Sequence, residues 1–127
     1  MTKQKTFETV DAQTFGSVMG QAVWLMTLSK THRELPIKAI EGLISPAILL
    51  RQFKLYSKGK QPVAFLIWAS VTDEVKAVLD AGGQIEKLED WRSGPNIVVV
   101  DCISPLAPRE TFEEKFLTSL KAAQTID

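Results

Sequence analysis

The chain has one histidine, His32, and one cysteine, Cys102. Histidine is the side chain best suited to moving protons near neutral pH. His32 lies in the polar stretch Ser29 to Leu35, with Lys30 and Arg33 beside it and Ser29 three residues ahead. A histidine in such a stretch is more often an ordinary solvent-facing loop residue. Asp101 is the second unusual residue. It places a charge inside the apolar run Ile97-Val98-Val99-Val100-Asp101-Cys102-Ile103. A buried carboxylate without a partner is costly, so Asp101 must be paired, protonated or near a mouth. Taken alone, the run favours an aspartate at a strand end that binds backbone ahead of Pro105. An aspartate that orients a histidine is a recurring base arrangement. Sequence spacing does not bring these two together; a fold must.

Two other side chains compete for a chemical role. Cys102 is a possible nucleophile, but a lone cysteine in an apolar strand is more often a small buried hydrophobe. Strand alternation also points it away from Asp101. Ser29 suits a cap, a loop brace or, less readily, a nucleophile; no Gly-x-Ser-x-Gly elbow surrounds it. There is no phosphate-binding glycine loop, dinucleotide fingerprint or metal-ligand cluster, so no bound cofactor or metal is expected. One cysteine also rules out an intrachain disulfide.

The elements that must position these residues follow from periodicity. With 127 residues, 45% hydrophobic and 24% charged, the chain reads as one ordinary globular domain over 1–127. Residues 1–10 read as a loose arm. Asp11 caps an expected helix over Ala12–Leu28, carried by Phe15, Val18, Met19, Ala22, Leu25 and Met26. Gly16 and Gly20 weaken that helix in isolation but permit close packing. Pro36 opens a second helix with Ile37, Ile40, Leu43 and Ile44 on one face, which Pro46 interrupts or restarts. Gln52–Tyr56 and Val63–Ala69 read as a hairpin of two strands, the second fully apolar as a central strand is. Thr72 caps a short helix that Gly82-Gly83 stops. Ser93-Gly94-Pro95-Asn96 is a turn before the third strand, Ile97–Ile103. Thr111 and Glu114 read as a capping box for a last helix with Phe112, Phe116, Leu117 and Leu120 inward. Helices around an antiparallel strand set predict an α+β or mixed α/β layer fold.

Charge is balanced, with 15 basic and 15 acidic residues, which argues against general nucleic-acid binding. The distribution is uneven. Gly42 to Thr72 holds no acidic residue, while Arg51, Lys54, Lys58 and Lys60 are basic; Asp73 to Asp90 is mainly acidic. Two solvated faces explain this, as does a basic patch that steers an acidic partner. Met1 to Glu8 lacks the apolar core of a signal peptide, and no apolar stretch approaches the ~18 residues of a membrane span. A cytoplasmic protein is expected.

Four ordered blocks resemble the RTX toxin-activating lysine acyltransferases. They are Gly20-x-x-x-Trp24-Leu25-x-x-x-Ser29-x-x-His32-Arg33-x-x-Pro36, then Pro46-Ala47-Ile48-x-x-x-Gln52, then Pro62-Val63-Ala64-x-x-x-Trp68-Ala69, then Glu89-Asp90-Trp91-x-Ser93-Gly94 followed by Asp101-x-Ile103-x-Pro105. The resemblance implies transfer of a fatty acyl group from acyl carrier protein to internal lysines of a protoxin. It also implies a fold similar to the Gcn5-related N-acetyltransferases and a capacity to dimerise. It places the essential histidine on His32, the essential aspartate on Asp101 and a supporting serine on Ser29. A substrate lysine is mostly protonated at neutral pH and must lose a proton before it attacks a thioester. His32 then serves as base with Asp101 fixing its tautomer, or attacks the thioester and carries the acyl group itself.

The same resemblance gives the basic residues a use. Arg33, Arg51, Lys54, Lys58 and Lys60 are expected to receive the acidic acyl carrier protein. Trp24, Phe65 and Trp68 are candidate walls of an acyl-chain slot, with core packing as the alternative for each. The chain departs from the pattern at Cys102, where an aromatic is familiar, and at Leu106-Ala107. Known members also continue much further past the equivalent of Pro108, so the acceptor is an RTX-type protoxin or another protein. Two other readings stand beside this one. The first is an N-acyltransferase of similar fold using acyl-coenzyme A, although the pyrophosphate-binding loop is missing. The second is a non-catalytic homologue that only binds acyl carrier or toxin.

Overall fold

The computed structural model describes residues 10–125. The expected N-terminal arm falls almost wholly outside the described residues. Helix α1 spans Ala12–Leu28, and the Asp11 carboxylate accepts from Thr14 N at 2.7 Å to cap it. That cap satisfies one of the amides a helix start leaves open. Ala22, Leu25 and Met26 are its buried contacts. The expectation of close packing at Gly16 and Gly20 is corrected: a Cβ at either would meet nothing within 4 Å.

The segment around Pro46 is more irregular than a single amphipathic helix. Helix α2 is the short turn Ile37–Ala39, followed by a wider π turn at Ile40–Ile44 and helix α3, Ser45–Leu49. Pro46 has no N–H to continue a regular ladder, and Ser45 N reaches back five residues to Ile40 O. The extra residue rotates the stripe. Ile44 is buried while Ile37 is 83% exposed, so the four apolar residues do not share one inward face.

Strands β1 (Phe53–Lys58), β2 (Gln61–Val71) and β3 (Asn96–Ile103) form one antiparallel sheet in the order β1-β2-β3. Gly59, at φ +64°, makes the hairpin turn. β2 is central, and its alternation is strict. Phe65, Ile67, Ala69 and Val71 face the core cluster with α1 and α3, whereas Ala64, Leu66 and Trp68 face the other way. Helix α4 (Asp73–Asp80) follows, capped by the Thr72 hydroxyl accepting from Val75 N. A 3-10 turn, Leu88–Trp91, leads into β3. The result is an α+β fold with helices on both faces of an antiparallel sheet.

Helix α5, Arg109–Thr125, covers the second face with Phe112 and Phe116. The expected capping box is corrected. The helix starts directly after Pro108, so Thr111 lies inside the first turn, its N–H bound to Pro108 O at 3.1 Å. Leu117 is half exposed rather than inward.

Three of the sequence blocks meet in one buried polar knot. Gln52 is 2% exposed. Its Nε2 donates to Trp91 O at 2.9 Å and to Trp68 O at 3.2 Å, and its Oε1 accepts from Arg92 Nε at 2.9 Å. Gly94 sits against the Thr72 backbone, where a Cβ would come within 2.6 Å of Thr72 N. This part of the chain can hold no side chain at 94.

Candidate active site

His32 is delivered by the end of α1. The chain leaves the helix at Ser29, which is extended, and folds into a tight turn: His32 N and Arg33 N both donate to Ser29 O, at 3.1 and 2.9 Å. The turn places the Ser29 hydroxyl 2.6 Å from His32 Nδ1. Thr31 Oγ1 is 3.1 Å from the same nitrogen and 3.3 Å from Ser29 Oγ. His32 is 8% exposed and Ser29 7%, whereas Thr31 is exposed.

Asp101 is delivered by a bulge. Ile67 pairs with Asp101 and Trp68 with Val99, so Val100 has no opposite residue on β2. Bulges redirect side chains beside functional sites. Here Val98 and Val100 pack toward the first core cluster and Cys102 toward the second, and Asp101 joins the first side without breaking either face. Its Oδ2 lies 2.9 Å from His32 Nε2, across 69 residues of sequence. Its Oδ1 accepts from Cys102 N at 2.7 Å and has Arg109 Nη1 3.7 Å away. Burial pushes the carboxyl up, but the hydrogen bond and charge of His32, the Cys102 amide and Arg109 outweigh it and hold it below the ordinary aspartate value.

These contacts fix the proton positions. An ionised carboxylate only accepts, so Nε2 carries the hydrogen in the neutral ring. Nδ1 is then the basic nitrogen, and it accepts the Ser29 O–H. The arrangement is a hydroxyl, an imidazole and a carboxylate in line, able to take a proton and to stabilise the resulting imidazolium. Asp101 also lines a cleft of about 1020 Å³ between the α2–π-turn segment and the loop after α4. Glu41, Asp80 and Glu86 face this cleft, against Lys38 as its one basic lining residue. Among the described residues, no strand pairs with the outer edge of β3.

Cys102 is 3% exposed on the opposite face, and burial above all raises its thiol. A thiol held neutral is a poor nucleophile. Among the described residues, no three His, Cys, Asp or Glu side chains group as metal ligands. Among the described residues, no helix is long and apolar enough to cross a membrane.

The comparison with known proteins agrees with the geometry. Residues 11–127 match the RTX toxin acyltransferase family. The chain belongs to that family. It is 34% identical over 91 residues to the protein-lysine myristoyltransferase RtxC of Kingella kingae, covering 70% of this chain and 53% of that protein. It is 35% identical over 97 residues to the RTX-III toxin-activating lysine-acyltransferase ApxIIC of Actinobacillus pleuropneumoniae, covering 75% and 55%. It is 32% identical over 90 residues to the protein-lysine myristoyltransferase HlyC of Escherichia coli, covering 69% and 51%. The chain thus spans about half the length of these curated relatives.

The remaining candidates scatter. Arg33 is exposed on the His32 turn, 3.9 Å from Glu34. Arg51 sits before β1, Lys54 and Lys58 lie along it, and Lys60 lies in the hairpin turn. All four therefore lie by the sheet edge opposite β3 and the cleft. Phe65 and Trp68 point to opposite faces of β2, and Trp24 is 42% exposed on α1. The three do not wall one slot. Two members of the site had no signal in the sequence. These are Thr31, beside His32, and Arg109, whose contact with Asp101 depends on how α5 packs against β3.

Proposed function

We propose that this chain is a protein-lysine acyltransferase, moving a fatty acyl group from acyl carrier protein to the ε-amino group of a lysine on an RTX-type protoxin or another acceptor protein in the cytoplasm. The observation that carries this is the 2.9 Å contact between His32 Nε2 and Asp101 Oδ2 beside an open cleft, in a chain of the RTX toxin acyltransferase family. The acceptor ammonium gives a proton to His32 Nδ1. The free amine attacks the thioester carbonyl, the C–N bond forms and the C–S bond breaks. The departing thiolate takes the proton back from the imidazolium, and the second proton of the attacking nitrogen goes to solvent, leaving amide, thiol and one released proton. Asp101 holds the ring with Nδ1 bare and balances its charge.

Both ring nitrogens are already engaged, Nε2 by Asp101 and Nδ1 by Ser29. An acyl-histidine would have to displace one of these bonds, whereas a proton on Nδ1 only reverses the direction of the Ser29 hydrogen bond. The two sides of the sheet suit two substrates. The carboxylates Glu41, Asp80 and Glu86 at the cleft favour a cationic lysine segment. Arg51, Lys54, Lys58 and Lys60 by the β1 edge favour the acidic acyl carrier.

The test is mass spectrometry of a candidate acceptor incubated with this chain and either acyl-acyl carrier protein or acyl-coenzyme A. Lysine acylation from the carrier protein alone is expected. Acylation from acyl-coenzyme A alone supports the coenzyme reading, and none from either supports a binding protein. An acylated His32 peptide trapped by rapid quench without acceptor would overturn direct transfer.

A further inference from the structure

The Ser29 hydroxyl faces a problem when His32 gains a proton. In the neutral ring, Ser29 O–H donates to bare Nδ1 over 2.6 Å. In the imidazolium, Nδ1 carries hydrogen and must donate in turn. Ser29 Oγ is the nearest acceptor, so its own hydrogen must rotate away. Ser29 is 7% exposed, and a buried hydroxyl hydrogen with no acceptor disfavours the state that creates it. The other side-chain partner of Ser29 Oγ is Thr31 Oγ1, at 3.3 Å.

We propose that Thr31 is a positioning residue for the protonated histidine. Its exposed hydroxyl receives the Ser29 hydrogen when Nδ1 is charged, and turns to donate toward Nδ1 or Ser29 when the ring is neutral. Both proton states of His32 then have a complete set of hydrogen bonds. No bond other than these hydrogen bonds changes. The proton on Nδ1 comes from the substrate or solvent, and the two hydroxyls only rotate. Thr31 is the exposed member of the three, and Ser29 and His32 are buried.

The charged groups around the ring are Asp101 of β3, Arg109 of α5 at 3.7 Å from Asp101, and Lys30, Arg33 and Glu34 on the turn itself. A Thr31→Val substitution changes none of them. It keeps the shape and removes both the acceptor and space for a replacing water. The proposal needs His32 as proton acceptor only for its catalytic consequence. The measurement below uses no substrate, so its failure and a failure of the acyltransferase reading are separate results.

The experiment is a nitrogen-15 NMR titration of the full chain. With one histidine, there is one pair of ring resonances to follow. Above the midpoint, the proton is expected on Nε2. In Thr31→Val the midpoint is expected to fall by about half to one pH unit, and Thr31→Ser should restore it. Thr31→Ala, which lets water into the gap, should shift it the same way by less. A midpoint unchanged in both Val and Ala variants, or a neutral ring protonated on Nδ1, overturns the proposal. If Thr31→Val misfolds, the Ala and Ser variants alone decide: no shift in Ala counts against it.

Discussion

Two buried polar clusters organise this molecule, and they are built to opposite ends. Around Gln52 the side-chain hydrogen bonds end on backbone or on Arg92, and the side chain is sealed at 2% exposed. It ties the start of β1, the middle of β2 and the 3-10 turn into one unit. Around His32 the contacts run side chain to side chain, from Thr31 at the surface through Ser29 and the imidazole to Asp101 at the cleft. The first cluster has one proton arrangement. The second has two of nearly equal completeness. Residues from the same family blocks thus serve different ends: one network holds the frame, and the other carries the proton transfer proposed above.

The sharpest way to break this comparison is to cut each cluster and measure both activity and stability. His32→Ala and Asp101→Asn should lower acyl transfer by about 10³–10⁴-fold, as expected when a base loses its proton acceptor or its correct tautomer. Their urea midpoints at pH 7 should fall by less than that of Gln52→Ala, through loss of the His32–Asp101 pair. Gln52→Ala should do the reverse. It strips Trp91 O and Arg92 Nε of a partner and leaves a cavity. The expected cost is about 2–4 kcal/mol of unfolding free energy. Activity should survive in whatever fraction stays folded. If Gln52→Ala were stable and inactive, the division between frame and chemistry would be wrong.

Acid separates the clusters more gently. The Asp101 carboxyl is held below its ordinary value in the folded chain, so the unfolded chain binds that proton more readily. Its stabilising contribution is fully present above the ordinary aspartate range, near 4, and is lost as pH falls through the lower folded value. Urea midpoints measured from pH 7 down to 3 should therefore show a loss that Asp101→Asn lacks. The Gln52 cluster has no carboxylate, and Gln52→Ala should keep the full acid-dependent loss. Equal acid slopes in the native chain and Asp101→Asn would remove the ionised pair from the account.

Legibility in the sequence follows the same division. Helix α1 was readable to both ends because Asp11 caps it and its apolar residues keep one period. β2 was readable as central because it is apolar throughout. The π turn was not, since Pro46 announces an interruption but not how the chain absorbs it. His32 and Asp101 were each visible as anomalies, yet each had an ordinary explanation. Only the family blocks paired them, and only the bulge at Val100 brings the carboxylate to the ring. A bulge depends on the pairing partner and leaves no mark in one strand. Phe65 and Trp68 failed as joint pocket walls for a simpler reason: three positions apart on a strict strand, they face opposite ways.

The smallest expected effect tests the helix that carries the His32 turn. Gly16 lies inside α1 with open space where a Cβ would be. Nothing in the fold requires glycine there, so its backbone freedom is only a cost. Gly16→Ala should stabilise the chain by roughly 0.5–1 kcal/mol, visible as a small rise in the urea midpoint. The substitution touches neither network's hydrogen bonds, yet it lies on the helix whose C-cap is Ser29. If α1 serves only as a rigid support, the histidine titration should not move with the added stability. A shift in that titration would show instead that the end of α1 flexes with its beginning, and that the proton-moving cluster depends on helix stiffness in a way the Gln52 cluster does not.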